Sequence, residues 1–218
     1  MRYEHIEADK YLAAFEDGSE CIVTKTHERS YPGLGREGLS KDRCDFGAHY
    51  KEYLRAAQFT HGCQNVIDVG CGSGYGTDIL EFAGGGDCTG CDTSEEALRY
   101  ARTRYGWPVF KTADSQAGLP SHPVRETYDA VVCIEHIEHV SDPPATLRSI
   151  HRVLMPDGIL IITTPVGDGT HPPANPFHTI EWTPEQFAEL LASCGFAIEL
   201  HDLEGYNGPQ QFVVARRV

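Results

Sequence analysis

The chain has 218 residues, 40% of them hydrophobic, with 32 Asp and Glu against 18 Lys and Arg and a formal net charge of −14. That length supports one well-buried core and is short for two full domains. The acidity, with a pI near 5.1, argues against a protein that coats a nucleic-acid backbone through clustered cations.

No apolar run reaches bilayer length, so any membrane contact would be peripheral. Met1-Arg2-Tyr3-Glu4-His5-Ile6-Glu7 lacks the apolar core of a secretory signal. The eight cysteines are therefore expected as reduced thiols in a cytoplasmic setting.

Residues 1–45 carry no lasting periodicity, and Tyr31-Pro32-Gly33-Leu34-Gly35-Arg36-Glu37-Gly38 reads as a loop. They are expected to form an N-terminal arm or cap ahead of a domain spanning 46–218. Phe46, Tyr50, Tyr53, Leu54 and Ala57 recur at helical spacing and predict an amphipathic helix over 46–59.

Val66-Ile67-Asp68-Val69 is a short apolar strand with one buried acid. It opens onto Gly70-Cys71-Gly72-Ser73-Gly74-Tyr75-Gly76, where alternate residues are glycine and the backbone must pass close to a ligand. The dinucleotide fingerprint needs its third glycine three residues after the second, and Tyr75 stands there, which weakens a hydride-transfer reading. Gly86-Asp87-Cys88-Thr89-Gly90-Cys91-Asp92 reads as a second strand ending in an acid about 20 residues beyond the loop, where a carboxylate holds a ribose diol. Loop and acid together imply an adenosine-type cofactor. Cys88 and Cys91 have metal-pair spacing, but no second pair stands at zinc-ribbon distance, and they are expected as buried strand cysteines.

A helix at 75–83, a strand at 87–91, a helix at 94–105 and strands at 108–111 and 128–134 follow. After them come a helix at 143–153, a strand at 158–164, a helix at 184–194, and strands at 196–203 and 211–216. The alternation predicts an α/β fold of three layers, a mostly parallel sheet covered on both faces. Glu204-Gly205-Tyr206-Asn207-Gly208-Pro209 is too short for a crossover, so the C-terminal strands are expected to be antiparallel.

The glycine loop, the acid at 92, Tyr128-Asp129-Ala130-Val131-Val132-Cys133-Ile134-Glu135, and Leu154-Met155-Pro156-Asp157-Gly158-Ile159-Leu160-Ile161-Ile162-Thr163-Thr164-Pro165 stand in that order. Over residues 46–218 the chain thereby resembles the S-adenosylmethionine-dependent methyltransferases of Rossmann-like fold. That resemblance implies S-adenosylmethionine as cofactor. It implies a binding set of Asp68, Gly70, Cys71, Gly72, Gly74, Asp92, Thr93, Asp114 and Ser115. Asp68 would orient the loop or the cofactor amino group, Asp92 would take the ribose hydroxyls, and Asp114 the adenine amine. The loop leads into a helix whose N–H groups suit the methionine carboxylate.

After the fourth strand comes Glu135-His136-Ile137-Glu138-His139, and Glu135, Glu138 and His139 share a face if the segment turns helically. A later His178 lies in Asn175-Pro176-Phe177-His178-Thr179-Ile180-Glu181-Trp182-Thr183. This pattern is similar to the small-RNA 3′-terminal 2′-O-methyltransferases and, in its Glu-x-x-Glu-His part, to the ubiquinone-pathway O-methyltransferases. The resemblance implies a divalent ion, Mg, Mn, Fe or Zn, on Glu135, Glu138, His139 and His178, engaging substrate hydroxyls. Without metal, His139 or His178 would act as base, with Glu138 beside them. His171, His178, Trp182, Tyr31 and Tyr206 are further candidates to face the substrate.

The expected activity is O-methylation of a small-molecule or sugar hydroxyl. RNA ribose methylation remains open if Arg29, Arg36, Lys41 and Arg43 gather on one rim, although no basic or aromatic RNA-binding extension is evident. A noncatalytic cofactor-binding module is the alternative of another class.

Overall fold

A computed structural model describes residues 2–7, 10–14, 20–24, 46–84, 86–106, 108–169, 172–204 and 209–218, with side chains from residue 49 onward. The predicted strand ahead of the glycine loop becomes β4 (Asn65–Val69), buried at all its positions. It lies inside a seven-stranded sheet of order β6-β5-β4-β7-β8-β10-β9. β5 (Asp87–Asp92), β6 (Val109–Thr112), β7 (Tyr128–Cys133) and β8 (Leu154–Pro165) run parallel with it. β9 (Phe196–Glu204) and β10 (Pro209–Arg217) close the far edge antiparallel, β10 pairing with both β8 and β9.

Side chains alternate across the sheet and build a separate core on each face. Ile67, Val69, Val131 and Leu160 pack with Leu147, Ile150, Phe187 and Leu191. Val66, Ala130 and Val132 pack with Tyr53, Ala56, Leu80 and Phe212. The first face is covered by α4 (Pro143–Val153) and α5 (Pro184–Ser193), the second by α1 (Phe46–Thr60) and α2 (Tyr75–Ile79). Local chemistry sets where these helices start. Asp142 caps α4 by accepting from the Ala145 amide at 2.9 Å, with proline in the first turn. Thr183 and Gln186 form a reciprocal capping box on α5. Ser94 caps α3 (Glu95–Arg104), as its position before the acidic pair suggests.

Three regions differ from the sequence expectation. The helix expected over 75–83 is α-helical only to Ile79 and continues as a wider π turn over Leu80–Gly84. Five residues are too few for periodicity to separate the two pitches. β8 begins at Leu154 rather than 158, because Pro156 and Gly158 sit in an irregularity of its pairing with β7 instead of ending a loop. Residues 2–24 hold three antiparallel strands, β1 (Arg2–Glu7), β2 (Lys10–Ala14) and β3 (Glu20–Thr24), where no regular element was expected. The loop at 31–38 and the basic set Arg29, Arg36, Lys41 and Arg43 lie outside the described residues.

Cys88 and Cys91 are buried in β5, and the six cysteines whose side chains are described are free thiols. No helix among the described residues is long and apolar enough to cross a membrane.

Candidate active site

Strand order reverses between β4 and β7, and ligands in open α/β sheets sit at the carboxyl ends of strands beside such a reversal. A cavity of about 400 Å³ opens there, within the range that takes a drug-sized ligand. Gly70, Cys71, Gly72 and Ser73 after β4 form one wall, and Asp92, Thr93, Ala113, Asp114 and Ser115 another. Glu135, His136, His139, Val140 and Phe177 line the far end, with His49 and Tyr53 from α1. Its acids are Asp92, Asp114 and Glu135, and no lysine or arginine lines it among the described residues.

The glycine loop is tied to β5 at its first turn, where the Gly70 and Cys71 amides donate to the Cys91 carbonyl at 2.9 and 3.0 Å. Gly72 has φ 53°, and a Cβ there would meet only open space on the cavity side. The backbone is thus bare where a ligand would approach. Asp92 fixes that conformation, its carboxylate accepting from the Gly72 amide at 3.0 Å and the Ser94 amide at 2.7 Å. Its position in the cavity wall fits a diol acceptor.

Two expected cofactor residues lie behind the wall instead. Asp68 is fully buried and accepts from Thr77 Oγ1 at 2.7 Å and Tyr53 Oη at 3.1 Å, so it braces α1 and the start of α2. Burial pushes its carboxyl up to about 7, against the two hydrogen bonds that favour the charged form. Gly74 is packed under Ala101 and Phe110. On the opposite wall, Ser115 bridges His136 Nε2 at 3.0 Å and Thr146 Oγ1 at 3.1 Å. Asp114 is exposed at the rim, and its Oδ1 accepts from the Gln116 amide at 2.9 Å.

Beyond the far end, the 3-10 turn Ile137–His139 meets the loop before α5. Thr179 and Ile180 amides donate to the Glu138 carbonyl at 2.7 and 3.4 Å, and Thr179 Oγ1 donates to the His139 carbonyl at 3.2 Å. Buried Gln211 anchors the other side of this loop, its amide donating to the Trp182 and Pro165 carbonyls at 2.9 and 3.3 Å. These bonds bring His139 and His178 edge to face at 4.9 Å, beside the fully buried Glu138. One ligand atom from each of the three lies within 4.8 Å of the others.

Carbonyl and carboxylate oxygens only accept, so the tautomers follow from the partners. His139 Nδ1 donates to the Phe177 carbonyl at 3.1 Å, and its Nε2 stands 3.8 Å from Glu138 Oε1. His178 Nδ1 donates to Glu181 Oε1 at 2.5 Å, and its Nε2 accepts from the Asn175 amide at 2.8 Å. The Phe177 amide, donating to Asn175 Oδ1 at 3.0 Å, holds that orientation.

Glu135, expected as a fourth metal ligand, is not in this group. Thr163 Oγ1 donates to its Oε1 at 3.0 Å and draws the carboxylate to β8. The segment is a tight turn after a left-handed residue, not the helix that would align all three side chains. Trp182, expected at the substrate, is 6% exposed and packs on Phe187 in the core. His171, Tyr31 and Tyr206 lie outside the described residues. Sequence reasoning passed over Thr163, Asn175 and Glu181 as functional groups, although the three-residue step from His178 to Glu181 suits a turn that pairs them.

The methyltransferase domain family matches residues 67–162, from within β4 to within β8. A probable S-adenosylmethionine-dependent methyltransferase of Mycobacterium tuberculosis is 32% identical over 197 residues, covering 88% of this chain and 68% of that protein. A ubiquinone biosynthesis O-methyltransferase of Bordetella avium is 33% identical over 169 residues, 71% of this chain and 60% of its own length. The chain thus spans about two thirds of these relatives. The crystal structure of the Synechocystis magnesium protoporphyrin IX methyltransferase with bound SAH superposes with a TM-score of 0.65 at 19% identity, over 84% of this chain and 90% of that one, and shares the fold. With its glycine loop, its Asp92 carboxylate and its relatives in agreement, the chain belongs to the S-adenosylmethionine-dependent methyltransferases.

Proposed function

We propose that the chain transfers the methyl group of S-adenosylmethionine to a hydroxyl of a small molecule or sugar, with a divalent cation held by Glu138, His139 and His178. The observation that carries this reading is the convergence of those three side chains next to the cavity, which His139 itself lines. Two imidazoles and one carboxylate suit Mn, Fe or Zn better than Mg, which prefers oxygen ligands. A bound cation would lower the pKa of a hydroxyl and fix its oxygen in position.

The protein's own groups supply the rest. Asp92 and the loop at Gly72 would seat the cofactor, its carboxylate on the ribose and bare backbone against the amino-acid end. Phe177 and Val140 would form an apolar wall against the acceptor, and Phe177 and Glu181 hold both imidazoles with Nε2 unprotonated. The ubiquinone-pathway relatives, O-methyltransferases by name, favour oxygen as acceptor.

The test is metal content after dialysis against a trace divalent mixture, wild type beside Glu138→Ala, with methyl transfer to catechol and diol acceptors measured on the same samples. One metal per chain, lost in the variant together with turnover, is the expected result. Metal-free protein that still methylates hydroxyls would replace the cation by His139 or His178 as base, and metal-free protein active only on nitrogen or carbon would overturn the oxygen assignment.

A further inference from the structure

Glu135 combines three features. It is a non-glycine residue with φ 48°, it lines the cavity, and it stands two residues past the end of β7 at the strand-order reversal. A left-handed L-residue is strained and persists where surrounding structure holds it, typically at functional sites. Thr163 contributes to that hold. Thr163, fully buried on β8, accepts from the Glu135 amide at 3.0 Å and donates its hydroxyl proton to Glu135 Oε1 at 3.0 Å. Both functions of a single hydroxyl are used on one residue, fixing its backbone and its carboxylate at once.

The layout of the cavity indicates what that carboxylate faces. Asp92 at the end of β5 marks the ribose position, and Ala113 to Ser115, after β6, lie on the side away from β7. With the nucleoside over β5 and β6, the amino-acid and sulfonium end falls over β4 and β7, where Glu135 stands. S-adenosylmethionine carries a net positive charge through its sulfonium, whereas the demethylated product, S-adenosylhomocysteine, is a net-neutral zwitterion. The cavity wall supplies acids and, among the described residues, no lysine or arginine.

We propose that Glu135 is a specificity-determining residue that favours the sulfonium form of the cofactor over the demethylated product, and that Thr163 is its positioning residue. The inference rests on the cofactor reading above but not on the metal. A carboxylate facing the sulfonium would lose its attraction when the methyl leaves, which would weaken retention of the product without a moving part.

Calorimetric titration with S-adenosylmethionine and with S-adenosylhomocysteine, on wild type, Glu135→Gln, Thr163→Val and Thr163→Ser, tests it. Glu135→Gln is expected to weaken S-adenosylmethionine at least about fivefold while changing S-adenosylhomocysteine less than about twofold. Thr163→Val should reproduce that selective loss and Thr163→Ser should restore wild-type discrimination. Equal losses for both ligands, or no loss, would overturn the proposal, since a merely structural role moves both affinities together. Wild type that binds neither ligand would instead overturn the cofactor reading, a distinct result. Should Thr163→Val fail to fold, Glu135→Gln alone decides, because it leaves the Thr163 hydroxyl in place.

Discussion

Tyr53 lies across Gly76 so closely that a Cβ on the glycine would stand 2.0 Å from the tyrosine Cζ. The ring is buried, stacks edge-on with Tyr75 at 5.7 Å, and sends its hydroxyl to Asp68 at 3.1 Å. α1 is thereby seated on the first turn of α2 through contact that only a missing side chain permits. Gly76→Ala should lower stability by about 1–3 kcal/mol through overpacking. The cost should shrink in a Tyr53→Ala background, where the ring is gone, and a double-mutant cycle of thermal melts measures the difference.

Asp68 gives a pH prediction whose sign follows from its raised pKa. The unfolded carboxyl titrates near 3.9, and the folded one is pushed up to about 7 by burial. Between those values the folded chain keeps a proton that the unfolded chain releases. Its contribution is fully present below about pH 4 and is lost as pH rises toward 7, with a slope of up to about 1.4 kcal/mol per pH unit. Asp68→Asn should lack this component, so the stability difference, wild type minus variant, should fall across the window. Denaturant melts at several pH values check it, and parallel curves would mean that Asp68 is ionised in the fold.

Asp92 supports the loop and, in the proposed reading, the cofactor ribose as well. Asp92→Ala removes two hydrogen bonds, from the Gly72 and Ser94 amides, along with the proposed ribose acceptor. Charge-assisted hydrogen bonds of this kind are worth about 1.5–3 kcal/mol each. Affinity for S-adenosylmethionine should therefore fall by at least about tenfold, and calorimetry showing unchanged binding would sink the ribose assignment.

The sheet and the glycine-loop end of the cavity were legible because their signals are local. An apolar strand, a glycine loop and an acid at a set distance are contiguous in sequence, and β4 and β5 place them side by side. The acceptor end was only half legible. Glu138, His139 and His178 could be named from pattern, but Glu135 could not be separated from them, since its removal depends on Thr163, 28 residues away on a neighbouring strand. Trp182 looked like a loop aromatic and is core, because Val166, just past the end of β8, pairs with it and Gln211 fixes its carbonyl. The strands in residues 2–24 escaped notice because each is short and only Asp17-Gly18 between β2 and β3 gave a turn signal.

The two partners of His178 should affect metal binding in opposite directions. Glu181 holds the Nδ1 proton at 2.5 Å and so keeps the lone pair on Nε2, the arrangement that second-sphere carboxylates impose on metal-binding imidazoles. Asn175 donates to that same Nε2 at 2.8 Å and competes for the lone pair. Glu181→Ala should therefore weaken Mn or Zn affinity about 10–100-fold. Asn175→Ala should leave it unchanged or strengthen it by up to about fivefold, since one neutral hydrogen bond is lost from the metal-free state alone. Titration with each metal, read by calorimetry, measures both, and nitrogen-15 spectra of the histidines report the tautomer without metal. A His178 that keeps its Nδ1 proton in Glu181→Ala would show that the ring is oriented by other contacts.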